Sequence, residues 1–223
     1  MVLGVYHDNP SHHQVQADFV SRVQPRALVF EMLTAAQAKR AAGVPHCDMH
    51  ALETALGWQG RGWPSFEHYF PTFAAAPEAV VFGAAVPRAQ AVQMAVHCDV
   101  LSVQMLPGMV DMQRLRDGRL AQSALNAIAL TGGPVAVITG NGHARTDWGI
   151  AVCVLRADPS VTLYSLAQTE AEAPLEGRLM QSSAQGGLSA MIPARRSNSI
   201  VCTIACHSVV ISLLWTQQRE GET

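Results

Sequence analysis

The stretch "VLGVYHDNPSHH", residues 2–13, decides how the rest of the chain is read. Val2–Tyr6 is an apolar run of strand length, and it gives way abruptly to polar residues around a proline. Asn9 followed by Pro10 is a helix start. The asparagine side chain accepts from a free N–H group, and proline, with no N–H to lose, suits the first helical position. Val15, Phe19 and Val23 then recur every four residues, giving a short amphipathic helix that Pro25 stops. A buried strand running straight into a capped helix is the unit from which the chain is built.

That alternation continues along the sequence. "ALVFEML" (27–33) is a second apolar strand with Glu31 its only charge, and "TAAQAKRAAG" (34–43) is helical, ending at Gly43. "LGWQGRGWPSFEHYFP" (56–71) reads as a loop with aromatic anchors, and "FPTFAAAPEAVVFGAAV" (70–86) leaves little room for a helix before the third strand, "AVVFGAAV" (79–86). Pro87-Arg88 and a helix through about residue 96 come next. A turn at Pro107-Gly108 precedes a long helix with Met109, Met112, Leu120 and Ile128 among its apolar positions. "PVAVIT" (134–139) is a strand that runs into "GNGHARTDWG" (140–149), and "AVCVL" (151–155) and "VTLYSL" (161–166) read as the last strands.

Continuous apolar strands alternating with helices predict an α/β fold: a single domain whose central sheet is mostly parallel and carries helices on both faces. That domain is expected over residues 1–173. From about Pro174 the sequence turns small and polar, so 174–223 is expected to be an appendage. Its late apolar run, Ile200–Trp215, has no evident partner and is short for a membrane span.

Composition narrows the function. Of 223 residues, 49% are hydrophobic and only 14% charged, which argues for a well-buried core and against disorder. A net charge of −2, without long like-charge runs, gives no electrostatic footprint for nucleic acid and points to a small molecule or protein as partner. Five cysteines, Cys47, Cys98, Cys153, Cys202 and Cys206, are odd in number, spread out and without a CxxC pair. They read as free buried thiols in a reducing compartment. No basic and apolar leader opens the chain, which by itself points to the cytoplasm.

In an open parallel sheet, ligands bind outside the carboxyl ends of the strands. Applied here, that rule sorts the polar residues. The first strand ends at His7, the second carries Glu31 near its end, the third runs into Arg88, and the 134–139 strand runs into Asn141 and His143. Two of these ends share one pattern, Gly4-Val5-Tyr6-His7 and Gly140-Asn141-Gly142-His143, each G-x-x-H. Glycine lets the backbone turn tightly and approach a ligand, and histidine supplies a metal ligand or a base. His7, Glu31 and His143 would together make a two-His, one-carboxylate set for a divalent metal, and Arg88 would hold an anionic group.

Other residues divide between chemistry and packing. His12 and His13 fall in the first helical turn, where solvent-facing histidines are common. Arg145 and Asp147 beside His143 would also suit a structural ion-pair loop. His97-Cys98 precedes a loop, Met105, Met109 and Met112 read as packing, and Cys206-His207 has no partner at metal spacing.

"GVYHDNPSHHQVQ", "RALVFEML", "VPRA", "HCDVLSVQMLPGMVDMQRLRDGRLA" and "TGNGHARTDWGI" together resemble the ChaN-like haem-binding proteins, over roughly residues 2–170. That family lies within a wider group that includes Tiki-type metalloproteases and erythromycin esterases. The resemblance implies an α/β fold, haem binding in bacterial haem or iron acquisition, and a homodimer with haem held by tyrosine with histidine support. It also implies a cell-envelope location, with membrane association through a lipoprotein signal that this sequence does not show. The implied haem tyrosine is Tyr6 or Tyr69, since Tyr164 lies within a late strand. His12, His13, His97 and Arg145 complete the cofactor-binding set. From the wider group comes a second expectation, hydrolysis assisted by His7, Glu31 and His143 with Arg88 nearby, with or without a divalent metal.

Overall fold

The computed structural model describes residues 1–86, 105–170 and 209–215. Arg88, His97, Cys98, Cys202, Cys206 and His207, the helix expected through residue 96, and most of the 174–223 stretch lie outside the described residues. The elements are β1 (Val2–Val5), α1 (Pro10–Val23), β2 (Ala27–Phe30), α2 (Ala35–Ala41), α3 (Met49–Leu56), α4 (Phe66–Ala74), β3 (Val80–Gly83), α5 (Met105–Thr131), β4 (Val135–Gly140), α6 (Ile150–Ala157), β5 (Tyr164–Glu170) and β6 (Val209–Trp215). They build one sheet in the order β3-β2-β4-β1-β5-β6. The first five of these strands in sequence are parallel, and β6 closes the edge antiparallel to β5, from Tyr164 opposite Trp215 to Glu170 opposite Val209. The terminal apolar run thus has a partner.

The strands are continuously apolar because each face of the sheet has its own core. Leu3, Leu28, Phe30, Ala136 and Ile138 point to one side, against Val20 of α1, Leu52 and Leu56 of α3, and Phe66, Tyr69 and Phe73 of α4. Val2, Ala27, Val29, Val135 and Val137 alternate to the other, against Leu120, Ala121, Ala124 and Ala127 of α5 and Ile150, Ala151 and Val154 of α6. Helices therefore cover both faces, in the single α/β domain expected.

α1 begins as the sequence indicates. Asn9 accepts from the Ser11 N–H, Pro10 takes the first turn, and the helix ends at Gln24, whose backbone is left-handed (φ 47°). Three local readings fail, each for a physical reason. The aromatic stretch before β3 is not all loop: α4 buries Phe66, Tyr69 and Phe73, and that i, i+3, i+7 stripe holds a helix in spite of Pro71 inside it. "AVCVL" is not a strand but most of α6, whose buried Ile150, Ala151 and Val154 fall on one helical face while Val152 is exposed. Its β-branched composition imitates a strand, and packing against α5 overrides that propensity. Pro107 makes no turn before the long helix. It sits inside the first turn of α5, where a missing N–H costs nothing.

Of the described cysteines, Cys47 is exposed and Cys153 half-buried, and both are free, so the expectation of buried thiols fails at Cys47. Among the described residues no helix is long and apolar enough to cross a membrane.

The chain order places the site. From β1 the chain passes to α1 on one face of the sheet, and from the neighbouring β4 it passes to α6 on the opposite face. The loops after β1 and β4 diverge, and a crevice opens between those two strands at their carboxyl ends.

Candidate functional site

His7, Glu31 and His143 meet in that crevice. Glu31 follows β2, and its N–H extends the β2–β4 ladder to the Ile138 carbonyl at 3.0 Å, which aims its side chain across the end of β4. Oε2 accepts from the Thr139 hydroxyl and the Gly140 N–H, both at 2.8 Å. His7 Nε2 lies 3.6 Å from Oε2, and His143 Nε2 lies 3.4 Å from Oε1. One buried carboxylate thus stands between two imidazoles.

Two further shells hold the histidines. The Tyr69 hydroxyl of α4 lies 3.1 Å from His7 Nδ1, and the Trp63 ring packs on His7 at 4.9 Å. His143 Nδ1 lies 2.6 Å from Asp117 Oδ1 and 2.9 Å from the Gln113 side-chain amide, both from α5. Neither Asp117 nor Gln113 stands out in the sequence. The signal that could have found Asp117 is periodic: it falls three and four residues before buried Leu120 and Ala121, so a charge lies on the apolar face of α5.

The electrostatics follow from this geometry. Burial pushes the Glu31 carboxyl up, yet the hydrogen bonds and charge of His143 and His7 outweigh it and hold the group well below the usual carboxylate range. Burial alone would lower His143. Asp117 and Glu31, one at each ring nitrogen, raise it instead to about 9, so the ring is an imidazolium at neutral pH. Asp117 is raised by its own burial, against the opposing pull of His143.

His143 has a folded pKa above its ordinary value of 6.5, so its contribution to stability is whole below pH 6.5 and is lost as pH rises through about 9. The unfolding free-energy difference between the wild type and His143→Asn should therefore be largest below pH 6.5 and shrink across that window. Asp117→Asn should move the loss to lower pH. Denaturant titrations across that range check both, and a difference that stays constant with pH would contradict the charged His143.

The paired glycines serve a purpose other than the turn and ligand approach read from the sequence. Neither Gly4 nor Gly140 has a positive φ. In the β1–β4 register Val5 faces Gly140, and the two motifs interlock. A Cβ on Gly140 would stand 2.9 Å from His7 Nε2. One on Gly4 would meet the Ala144 Cβ at 2.7 Å and Asn141 Oδ1 at 2.8 Å. Each glycine leaves room for the other motif's side chains.

The same packing bears on the expected metal set. Among the described residues no group of three or more His, Cys, Asp and Glu side chains is arranged to hold a metal ion. The donor atoms of His7, Glu31 and His143 are committed to one another, to Asp117 and to Thr139, and a protonated His143 has no lone pair to offer. A carboxylate held as low as Glu31 is also a poor general base at neutral pH.

His12 and His13 are fully buried rather than solvent-facing. His12 Nδ1 accepts from the Tyr6 N–H at 3.1 Å, and its ring stacks on Tyr6 with centroids 5.6 Å apart. His13 Nε2 donates to the His7 carbonyl at 2.9 Å. The two tyrosines differ sharply. Tyr6 is 41% exposed just beyond β1, whereas Tyr69 is fully buried and its phenol is pushed up by burial and by the charges of Glu31 and Asp8. Arg145 pairs with Asp147 in the loop after β4 and lies over the half-exposed Trp148 ring at 4.9 Å. Tyr164 opens β5 at the amino end of the sheet, away from the crevice.

Comparison with known proteins agrees with this architecture. The family model described as haem-binding uptake, Tiki superfamily, ChaN matches residues 1–97 and 87–154. Among solved structures, that of cofacial heme binding to ChaN of Campylobacter jejuni is similar with a TM-score of 0.52 at 16% identity, covering 69% of this chain and 74% of that one. At that identity the likeness is one of fold. The type III effector HopBA1 aligns with a TM-score of 0.41 at 14% identity, over 64% of this chain and 66% of its own. No curated protein matches in sequence. With more than half its length matched by that family model, the chain belongs to the haem-binding ChaN family of the Tiki superfamily.

Proposed function

We propose that this chain binds haem at the carboxyl ends of its strands, with the Tyr6 phenol as the iron ligand, and serves bacterial haem or iron acquisition. Family membership carries the reading, and the donor set at the crevice fits it. Phenolate oxygen is an established axial ligand of haem iron. Tyr6 offers an accessible phenol whose backbone and ring are fixed by buried His12. Tyr69, fully buried and held from ionising, supports His7 instead. Arg145, in the loop after the adjacent β4, supplies a guanidinium for a propionate, while half-exposed Trp148 offers an apolar surface beside it. Arg88 and His97, outside the described residues, belong to the same proposed set. The Campylobacter jejuni relative's cofacial haems suggest that two copies of this chain meet across their haems as a homodimer.

Haemin titrated into the purified chain should give a saturable shift of the Soret band. Tyr6→Phe should weaken binding at least about tenfold, the equivalent of ~1.4 kcal/mol, and Tyr69→Phe should weaken it less. A featureless titration overturns the function. A Tyr69→Phe loss that exceeds that of Tyr6→Phe overturns the choice of ligand.

A further inference from the structure

The loop that joins α3 to α4, residues 57–65, is mostly exposed and rich in glycine, yet it holds one large ring in a fixed place. Gly60 and Gly62 have φ of 72° and 82°, and a Cβ on either would meet nothing within 4 Å. At those two positions the loop stands clear of its surroundings. Its base is different. Buried Trp58 donates its indole N–H to the Pro64 carbonyl at 2.8 Å and so closes the loop. The Trp58 ring packs on Tyr69 with centroids 4.6 Å apart, and the Tyr69 hydroxyl lies 3.1 Å from His7 Nδ1. The His7 ring in turn packs on Trp63, the neighbour of Pro64, with centroids 4.9 Å apart. Contacts thus run in a circuit from Trp58 through Tyr69, His7, Trp63 and Pro64 back to Trp58. Trp63 is held from both sides of it.

The circuit sets an indole at the rim of the crevice. Trp58 is buried and serves the core, whereas Trp63 is only half-buried and keeps part of its ring accessible beside His7. Trp63 belongs to the α1 and α4 side of the sheet, and half-exposed Trp148 stands in the loop that leads to α6 on the other side. An accessible indole therefore flanks the crevice on each side. Large, rigid aromatic rings supply contact area at low entropy cost, and they face best onto another flat apolar surface. An indole has no lone pair to give and no charge, so it neither ligates iron nor pairs with a propionate. What Trp63 offers a ligand is a ring and apolar area.

We infer that Trp63 is a specificity-determining residue of the crevice: its accessible indole contacts the macrocycle of a bound tetrapyrrole, so that part of the affinity for a porphyrin does not depend on the metal. The inference rests on the haem reading above and divides that binding in two. Tyr6 acts through the iron, and Trp63 acts on the ring plane. Because the circuit fixes Trp63 before any ligand arrives, its side chain loses little freedom on binding.

Separate titrations of the full chain with haemin and with metal-free protoporphyrin IX, followed by absorbance and porphyrin fluorescence, isolate the two contributions. Trp63→Leu keeps an apolar side chain against His7 and removes the flat ring. It should weaken both pigments alike, by about tenfold. Trp63→Phe keeps a ring and should restore most of that affinity. Tyr6→Phe should weaken haemin far more than the metal-free porphyrin. In the folded wild type, the ring current of the metal-free porphyrin should move the Trp63 indole N–H resonance more than that of buried Trp58. No binding of either pigment by the wild type overturns the haem reading, and this inference with it. Binding of haemin without binding of the metal-free porphyrin overturns the inference alone. So does a Trp63→Leu chain that binds both pigments as the wild type does, or a Trp63 resonance that stays in place.

Discussion

Glu31→Gln should lower the unfolding free energy by about 3 kcal/mol, the scale for removing one member of a buried ion pair. The same change should return His143 toward the ordinary histidine range. The Glu31 carboxylate accepts from Thr139 and Gly140 and faces a ring nitrogen of both His7 and His143. Glutamine keeps the shape and can still accept from Thr139 and Gly140 through one oxygen. Its amide NH2, however, then faces His143 Nε2, donor against donor, while Asp117 alone is left to balance an imidazolium. Most of the loss is therefore the cost of a charge left without its partner, and the remainder is the broken acceptor at His143. Chemical denaturation at pH 7 together with NMR titration of His143 measures both effects. Wild-type stability in Glu31→Gln, with His143 still titrating near 9, would show that the carboxylate does not organise the crevice.

Gly4→Ala is the second large effect, at about 2 kcal/mol of lost stability from overpacking. The added Cβ would stand 2.7 Å from the Ala144 Cβ, 2.8 Å from Asn141 Oδ1 and 3.1 Å from the Leu166 carbonyl. None of these gives way easily. Asn141 is tied in both directions to the Gln168 backbone, donating to its carbonyl at 2.6 Å and accepting from its N–H at 3.1 Å. Ala144 is nearly fully buried, and its carbonyl accepts from the Ser165 hydroxyl. Relief would have to come from moving the 141–149 loop, which carries His143, so haem affinity should fall along with stability. The double variant Gly4→Ala/Ala144→Gly should recover part of the loss, because it removes the shortest clash, and the non-additivity of the cycle measures the contact. A Gly4→Ala chain as stable as wild type would mean that the two G-x-x-H segments do not interlock.

Both expected results turn on contacts between residues far apart in the chain. Glu31 reaches the Gly140 N–H, 109 positions along the sequence. The capped helix after the first strand, the strands around 28, 81 and 137, and the arrival of His7, Glu31 and His143 at strand ends are all readable locally. They follow from apolar runs, Asn-Pro punctuation and the rule that parallel sheets bind ligands at their carboxyl edge. Other features are not readable in this way. Pro71 and a crowd of aromatics hide α4, because its helix is fixed by burying Phe66, Tyr69 and Phe73 and not by propensity. β-branched residues disguise α6 for the same reason.

The class of fold, the family and three of the groups in the crevice are legible in the amino acids alone, because strand and helix periods and capping residues are local properties of the chain. What those groups are to one another depends on how the elements pack. β4 inserts between β1 and β2, which sets Glu31 between two histidines instead of beside a metal. α5 brings Asp117 to His143 and fixes its charge, the packing of α1 against α4 buries His13, and His12 is buried beside Tyr6, although local spacing left both histidines at the surface. Strand order and helix contact are settled by long-range burial, and no short window of sequence carries that information.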